Sequence, residues 1–522
     1  MGDMNEPHSE TMEITVVETF QQLIVAFVLA MIFRGFVAEG FVIPTGSMAP
    51  TLKGEHLRAY SPQTGAEFAA GLDMKARGSQ TPLSRLTDPM LGPQFPGTAE
   101  VQGDLVPRMG DRIFVLKSLY PFFEPKRFDV VVFKNPTGPL GDSQNYIKRL
   151  VGLPEETIFL VDGDVFVKKR GEGRFHVQRK PEYVQRAVWQ RVGDSDLYPG
   201  DPVKLKEVQR AYGGVPWGGA GWNTEGTGSY SCATGEASRL RWDGRRRPIT
   251  DWNAYNVFRG GRGGEPVSDI RVMAGVVRTE PGMTMVFELR ARGQVYQWVV
   301  TDTEAKVRMR AVDDDEEGWR EATGAISLPG PGRVFEVEFW HQDQAMMLFL
   351  GGERVVELDY DWTPEERLRF VTGEVGSDVP MGDLVGRAVF PPQIVWKFEG
   401  SPVTLHRVRV DRDLHYRHDA LRSRQKNGPR ITGPHAFGTH PDILAELGPD
   451  QFMMLGDNSP ASQDSRLWGR PHPLVKEQID DAPFLVNRKL LLGKAWVVYF
   501  PSPLPLGGRK IIPDFGRLRF IR

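Results

Sequence analysis

Hydrophobic and polar positions divide the chain into one apolar stretch and many short alternating runs. Positions 23–33 read Leu-Ile-Val-Ala-Phe-Val-Leu-Ala-Met-Ile-Phe, and apolar character resumes at Phe36-Val37-Ala38 after Arg34-Gly35. A helix over 19–38 reaches the ~20 residues that cross a hydrocarbon core, with Arg34 near an end where its stem can snorkel to the headgroups. Two other readings stand beside this transmembrane anchor, a cleaved export signal and a buried amphipathic helix. The signal reading lacks a basic n-region and would put Phe36 where a cut after Ala38 needs a small residue. Next, Pro44, Gly46 and Pro50 rule out a continuous helix, so Ser47 is predicted on a turn. Residues 53–107 are rich in Gly, Pro, Ser and Thr and read as an irregular insert.

Alternation over 112–116, 129–133, 146–151 and 157–168, the last around Asp162-Gly163, predicts a compact β-domain. A second series of strands fills 200–420, with runs at 270–277, 283–289, 295–300, 334–339, 346–350 and 403–410. Gly351-Gly352 marks a hairpin. That spacing predicts an antiparallel β-sandwich, laminin-G-like or concanavalin-like in pattern. Residues 421–450 read as a linker, and 451–522 return to β character. The apolar run 490–500, broken at Gly493-Lys494, reads as two buried strands or one strand with a turn. The predicted fold is therefore mainly β: an N-terminal transmembrane helix, then a β-domain (39–52, 108–199 and 451–522) interrupted by a large inserted sandwich.

Composition narrows the function classes. A chain of 522 residues holds two to four domains at about 150 residues each. With 65 basic and 67 acidic residues the net charge is −2, which offers nucleic acid no basic face. The single cysteine, Cys232, excludes an internal disulfide and a cysteine zinc site, and leaves the compartment open. No Lys or Arg precedes Arg34. The positive-inside rule alone would hold the following side in the cytoplasm, although long domains cross largely regardless of charge.

Three segments carry candidate chemistry. Ser47 alone reads as readily as a turn or cap residue as a nucleophile. Lys148 lies in the strand-like run Tyr146-Ile147-Lys148-Arg149-Leu150-Val151, on one face with Tyr146 and Leu150; a snorkelling surface lysine is the plain alternative. The segment Gly456-Asp457-Asn458-Ser459-Pro460-Ala461-Ser462-Gln463-Asp464-Ser465-Arg466 is dense in small polar groups and also fits a solvated Asx-turn loop. A serine nucleophile needs a base. His56 falls in the irregular insert and His472 in a His-Pro context, so neither joins the distinctive segments. A lysine can serve if neutral: about one in 2,500 is neutral at pH 7, and burial raises that fraction.

Taken in order behind the apolar stretch, these segments resemble the bacterial type I signal peptidases, serine peptidases of the S26 family with a Ser/Lys dyad. Phe41-Val42-Ile43-Pro44-Thr45-Gly46-Ser47-Met48-Ala49-Pro50-Thr51-Leu52 resembles the nucleophile box. Gly110-Asp111-Arg112-Ile113-Phe114-Val115 resembles the strand that follows it. Arg127-Phe128-Asp129-Val130-Val131-Val132-Phe133 with Tyr146-Ile147-Lys148-Arg149 resembles the lysine box, and 456–466 the last box. The resemblance implies Ser47 as nucleophile and Lys148 as general base. It implies the Thr45 hydroxyl and the Ser47 backbone N–H at the oxyanion, and Ser462 holding the lysine amine. Arg149 with Asp457, and Asp464 with Arg466, become structural supports. Phe41, Ile43, Met48, Leu52, Tyr146 and Ile147 become the lining of two shallow pockets for small side chains, as in Ala-x-Ala.

The implied substrates are exported preproteins, cut at a bacterial inner membrane by a single-pass protein. Its N-terminus (1–18) would be cytoplasmic and its catalytic domain extracytoplasmic. No cofactor or metal is implied. Ser61-Pro62-Gln63-Thr64-Gly65 is similar to a degenerate form of the zinc knuckle that some relatives carry at this point, without its cysteines. The insert 53–107 and the block 200–420 depart from the family pattern, and any partner of the sandwich is left open. Two competing functions are a tethered binding protein with an inactive protease core and a self-cleaving repressor. Ser47 and Lys148 together argue against the first; the apolar stretch and the absence of a basic DNA-reading segment argue against the second.

Overall fold

The computed structural model describes residues 9–72, 85–101, 107–138, 144–199, 201–225, 228–259, 264–314, 318–418, 435–503 and 513–522. The chain starts with a helix, Ser9–Ile32, followed by a π turn, Phe33–Val37, and a strand, Ala38–Val42. From Val17 to Ile32 every side chain is exposed, including Phe20, Leu23, Ile24, Phe27 and Leu29. The stretch 19–38, read from sequence as one span, is thus divided among three elements. Gly35 loosens the last turns, and Ala38 is drawn into pairing with Leu116. Among the described residues no helix is long and apolar enough to cross a membrane.

One eight-stranded antiparallel sheet organises the β-domain. Its order is Ala38–Val42, Arg112–Leu116, Leu491–Phe500, Val130–Lys134, Asn145–Gly152, Gln451–Leu455 and Val486–Asn487, with Arg519–Phe520 added to Leu491–Phe500. Strands from before and after the long insertion therefore alternate within one sheet. Leu491–Phe500 is one strand whose register shifts between Leu491 and Gly493 and again beyond Ala495. Gly493 is needed there, because a Cβ would stand 2.2 Å from Leu116 O. A four-stranded sheet follows, built on the Glu156–Val161 and Asp164–Lys169 hairpin and joined by Ala445–Glu446 and His176–Val177. Its tight turn takes positive φ at Asp162 and Gly163 (49° and 87°).

The insert read as irregular holds a three-stranded sheet of Glu67–Gly71, His56–Tyr60 and Glu100–Val101. At its tip Ser61 Oγ accepts the Gln63 and Thr64 N–H groups, and Thr64 Oγ1 donates to Asp88 Oδ2 at 2.6 Å. The knuckle-like turn is therefore closed by hydroxyls and a carboxylate. Of the stretch read as a linker, 435–450 is ordered against the four-stranded sheet through Ala445–Glu446, while 421–434 lies outside the described residues.

The long insertion is an antiparallel sandwich of an eight-stranded and a seven-stranded sheet. It takes strands from Gln190–Asp194 onward, before the start read from sequence at 200. The Gly351-Gly352 hairpin is present, with positive φ at both glycines. Inward-facing Phe287 and Phe339 stack at 4.9 Å between Trp298 and Trp396 at the sandwich centre. Buried ion pairs, not apolar contacts alone, join the sandwich to the four-stranded sheet. Arg292 binds Asp162 and Asp269 (2.8 and 2.6 Å), and Arg367 binds Asp162 and Asp164 (2.8 and 2.5 Å). Asp164, Asp269 and Asp343 come close enough to share a cation, yet Arg367, Arg292 and Lys180 already neutralise them.

Candidate active site

Three segments distant in sequence meet beside the large sheet. The strand Ala38–Val42 pairs Phe41 with Ile113 and leads, through Pro44, into the short 3₁₀ turn Gly46–Met48. Gly110 and Gly54 let the chain close this turn. A Cβ on Gly110 would lie 1.7 Å from Ile43 O, and one on Gly54 would lie 2.3 Å from the Thr45 carbonyl carbon. Thr45 sits at the N-cap in extended conformation (φ −124°, ψ 158°) and makes no capping bond with its side chain. Ser47, half-buried, follows it.

Lys148 lies inside the strand Asn145–Gly152, which is hydrogen-bonded on both sides, with Lys148 opposite Val131 and Arg149 opposite Leu455. Only 3% of Lys148 is exposed. Its Nζ lies 2.7 Å from Ser47 Oγ and 3.0 Å from Ile147 O, with the Tyr146 ring centroid 5.3 Å away. Burial pulls the amine from its ordinary 10.5 down to about 8, against the weaker upward pull of Asp464 and Asp457. A group so placed is partly neutral near pH 7 and can accept a proton from the serine.

The last box closes the site. Arg149 donates to both carboxylate oxygens of Asp457 (2.8 and 2.6 Å) in a fully buried pair, and Thr51 Oγ1 donates to the same carboxylate at 2.6 Å. Asp457 thus ties the lysine strand to the chain beyond the nucleophile turn. Arg466 donates to both oxygens of Asp464 (2.9 and 2.8 Å), which also accepts the Gly456 N–H at 3.0 Å. Burial pushes the Asp464 carboxyl up, but Arg466 and these donors hold it below its ordinary value.

Ser462 departs from expectation. Its hydroxyl is fully buried and supports the Asp464 carboxylate, while the lysine amine turns to Ile147 O. Ser462 Oγ packs on Gly456, where a Cβ would stand 2.2 Å from it and 2.5 Å from Ser47 O. Asn458, which lies in the quoted segment but received no role from sequence, makes the direct link to the nucleophile. Its backbone N–H donates to Ser47 O at 3.1 Å, and its Nδ2 donates to Gly46 O at 2.8 Å.

Of the residues expected to line pockets, Ile43, Met48, Leu52 and Ile147 are buried in one apolar cluster with Ile113 and Val132, and Phe41 packs against it half-exposed. Tyr146 belongs to the neighbouring cluster around Phe133 and Trp468. His56 is buried against Gly54 O, and burial lowers its pKa to about 4; His472 caps the helix Pro473–Gln478. A cavity of about 250 Å³ lined by Glu265, His415 and His418 contains none of the dyad residues.

Comparison with known proteins points the same way. The family model described as "Signal peptidase, peptidase S26" matches residues 106–204, which include Lys148 and Arg149. A signal peptidase I from Leptolyngbya laminosa is 32% identical over 113 residues, 21% of this chain and 55% of that protein. One from Rickettsia typhi is 28% identical over 32% of this chain and 48% of its own length, and one from Pseudomonas aeruginosa 27% over 30% and 41%. The chain thus spans about half the length of the curated relatives it matches. Solved structures similar to part of the chain include a Bacillus subtilis protein with a galectin-like fold (11% identity, 43% of this chain and 98% of that one, TM-score 0.26). A Caenorhabditis elegans galectin also matches (13%, 28% and 83%, TM-score 0.18).

Proposed function

Taking as premise that the chain belongs to the peptidase S26 signal peptidase family, we propose that it is a serine endopeptidase that removes signal peptides from exported preproteins after small residues. The observation that carries this reading is the 2.7 Å approach of a buried amine to the Ser47 hydroxyl.

Neutral Lys148 takes the Ser47 proton while Oγ bonds to the scissile carbonyl carbon. The carbonyl π electrons move to oxygen, where the Thr45 hydroxyl and the Ser47 N–H stabilise the negative charge. Collapse of the tetrahedral species breaks the C–N bond, and the Lys148 ammonium protonates the departing amine. The amine, neutral again, then deprotonates a water that attacks the Ser47 ester. Collapse of this second tetrahedral species breaks the ester C–Oγ bond, the Lys148 ammonium returns its proton to Ser47 Oγ, and the acid product leaves. Ile43, Met48, Leu52 and Ile147, with Phe41 and Tyr146 at the margin, favour shallow apolar subsites that reject large side chains. Ser462, buried beside Gly456, would offer its hydroxyl oxygen to the ammonium form of Lys148 during turnover.

The helix Ser9–Ile32, whose apolar side chains from Leu23 to Ile32 are exposed, supports assignment of this segment to a lipid bilayer. The N-terminus would then be cytoplasmic and the β-domains outside a bacterial inner membrane. The test is cleavage of a preprotein ending in Ala-x-Ala by the full chain in detergent or lipid. Full activity in the Ser47→Ala protein would remove the proposal.

A further inference from the structure

The inserted sandwich reaches the nucleophile turn through the short segment Ala254–Arg259. The Tyr255 ring is wedged between Gly46, beside Ser47, and Gly71 of the three-stranded insert. A Cβ on either glycine would meet Tyr255 Cε1 at 2.2 or 2.3 Å. Ala49 and Ala69 complete this contact. The next residue, Asn256, bonds Asn458 reciprocally: Asn256 Nδ2 donates to Asn458 Oδ1 at 2.8 Å, and Asn458 Nδ2 donates to Asn256 Oδ1 at 2.9 Å. That same Asn458 Nδ2 donates to Gly46 O, and the Asn458 N–H donates to Ser47 O.

The segment is itself held firmly. Asn253 Oδ1 accepts the Tyr255 N–H at 2.8 Å, and Arg412 donates to Asp251 O at 2.9 Å from the sandwich strand Val403–Arg412. Asn458 is 2% exposed, so water offers no ready substitute partner. Without Asn256, the buried Asn458 amide loses what fixes which of its ends faces Gly46. Turned over, its Oδ1 would oppose the Gly46 carbonyl and push the nucleophile turn away.

We propose that the sandwich is a built-in positioning element of the peptidase, in which Tyr255 and Asn256, acting through Gly46 and Asn458, hold Ser47 Oγ at its reacting distance from Lys148. This rests on the peptidase reading above. Asn256 touches neither substrate nor reacting atoms; it is a positioning residue. A misplacement near 1 Å at a reacting centre costs about 100-fold in rate, so Asn256→Ala is expected to lower kcat about 10- to 100-fold. KM should stay within about twofold, since the apolar subsites are untouched.

The experiment uses the full chain with an Ala-x-Ala preprotein, and circular dichroism melts verify folding. Asn256→Asp keeps the acceptor that orients Asn458 Nδ2 and should recover most of the lost kcat. In an Asn458→Ala background, Asn256→Ala should cost nothing further, because its route to the turn is gone. Gly46→Ala should be crippled by the Tyr255 ring, and Tyr255→Leu should partly rescue it. Arg354→Ala, which removes an exposed ion pair elsewhere on the sandwich, should change nothing. A folded Asn256→Ala protein with unchanged kcat, full additivity with Asn458→Ala, or a fully active Gly46→Ala protein would each overturn the proposal. A wild-type chain inert toward preproteins would instead sink the peptidase reading.

Discussion

The burial of Lys148 makes a quantitative forecast for the pH dependence of cleavage. Moving the amine from 10.5 to about 8 raises its neutral fraction at pH 7 from roughly one in 3,000 to roughly one in ten, a gain of about 300-fold in competent base. At ~1.36 kcal/mol per unit the burial costs about 3 kcal/mol. In the free enzyme, kcat/KM should therefore rise tenfold per unit from pH 6 and level off above an apparent pKa near 8. The assay is initial-rate cleavage between pH 6 and 10.

Lys53 is also lowered to about 8, first by its burial and then by Arg517, so the profile must be repeated with Lys53→Gln, which should keep the limb. The linked stability has a definite sign. Between about 8 and 10.5 the unfolded chain binds a proton at this lysine that the folded chain does not, so Lys148 makes stability rise with pH across that window. Below pH 8 the folded protein carries the full penalty. Lys148→Met should therefore be inactive and yet more stable than wild type in urea at pH 7, with the difference shrinking by pH 10. A flat profile, a midpoint near 10.5, or loss of the limb in Lys53→Gln would refute the assignment of Lys148 as base.

Other consequences are equally direct. Ser47→Ala and Lys148→Arg should both abolish preprotein cleavage while leaving thermal melts close to wild type for Ser47→Ala; the arginine stays protonated and cannot act as base. Arg149→Ala strands a buried Asp457 carboxylate and should cost about 3–5 kcal/mol in denaturant unfolding. Gly110→Ala forces a methyl into Ile43 O and should abolish cleavage at moderate denaturant cost, since only the path into the nucleophile turn is displaced.

What could be read from sequence depended on how local its cause was. The run 112–116 alternates and is a strand with those bounds, and Gly351-Gly352 forms its hairpin because positive φ is needed at both positions. The short strands His56–Tyr60 and Glu67–Gly71 went unseen because Ala, Gly and His carry little β preference; they form only because they pair with each other and pack on Tyr255. The helix end at Ile32 was hidden because apolarity continues past Gly35, while the backbone there is recruited into the large sheet. At the site, Ser47, Lys148 and the pairs Arg149–Asp457 and Arg466–Asp464 are brought together. In place of the expected Lys148–Ser462 bond, the amine bonds Ser47 Oγ and Ile147 O. Asn458 could have been suspected from its place beside Asp457. Tyr255 and Asn256 had no signal at all, since their roles exist only after the sandwich docks.

That docking bears on why a large insertion can sit so close to a nucleophile. The chain leaves the β-domain after the four-stranded sheet and returns in time for Gln451–Leu455 to pair with the lysine strand. The sandwich is therefore restrained at both of its connections. An apolar interface alone would tolerate sliding, whereas the pairs of Arg292 with Asp162 and of Arg367 with Asp162 and Asp164 are directional and buried, and a slip leaves a charge uncompensated. The orientation they impose is carried by the strand Val403–Arg412, through Arg412 and Asp251, to Tyr255 and Asn256. The nucleophile turn, Gly46–Met48, is short and is approached closely by the backbone at Gly54 and Gly110. It gains from this a rigid wall that its own segment cannot supply, and its geometry becomes a property of the whole chain.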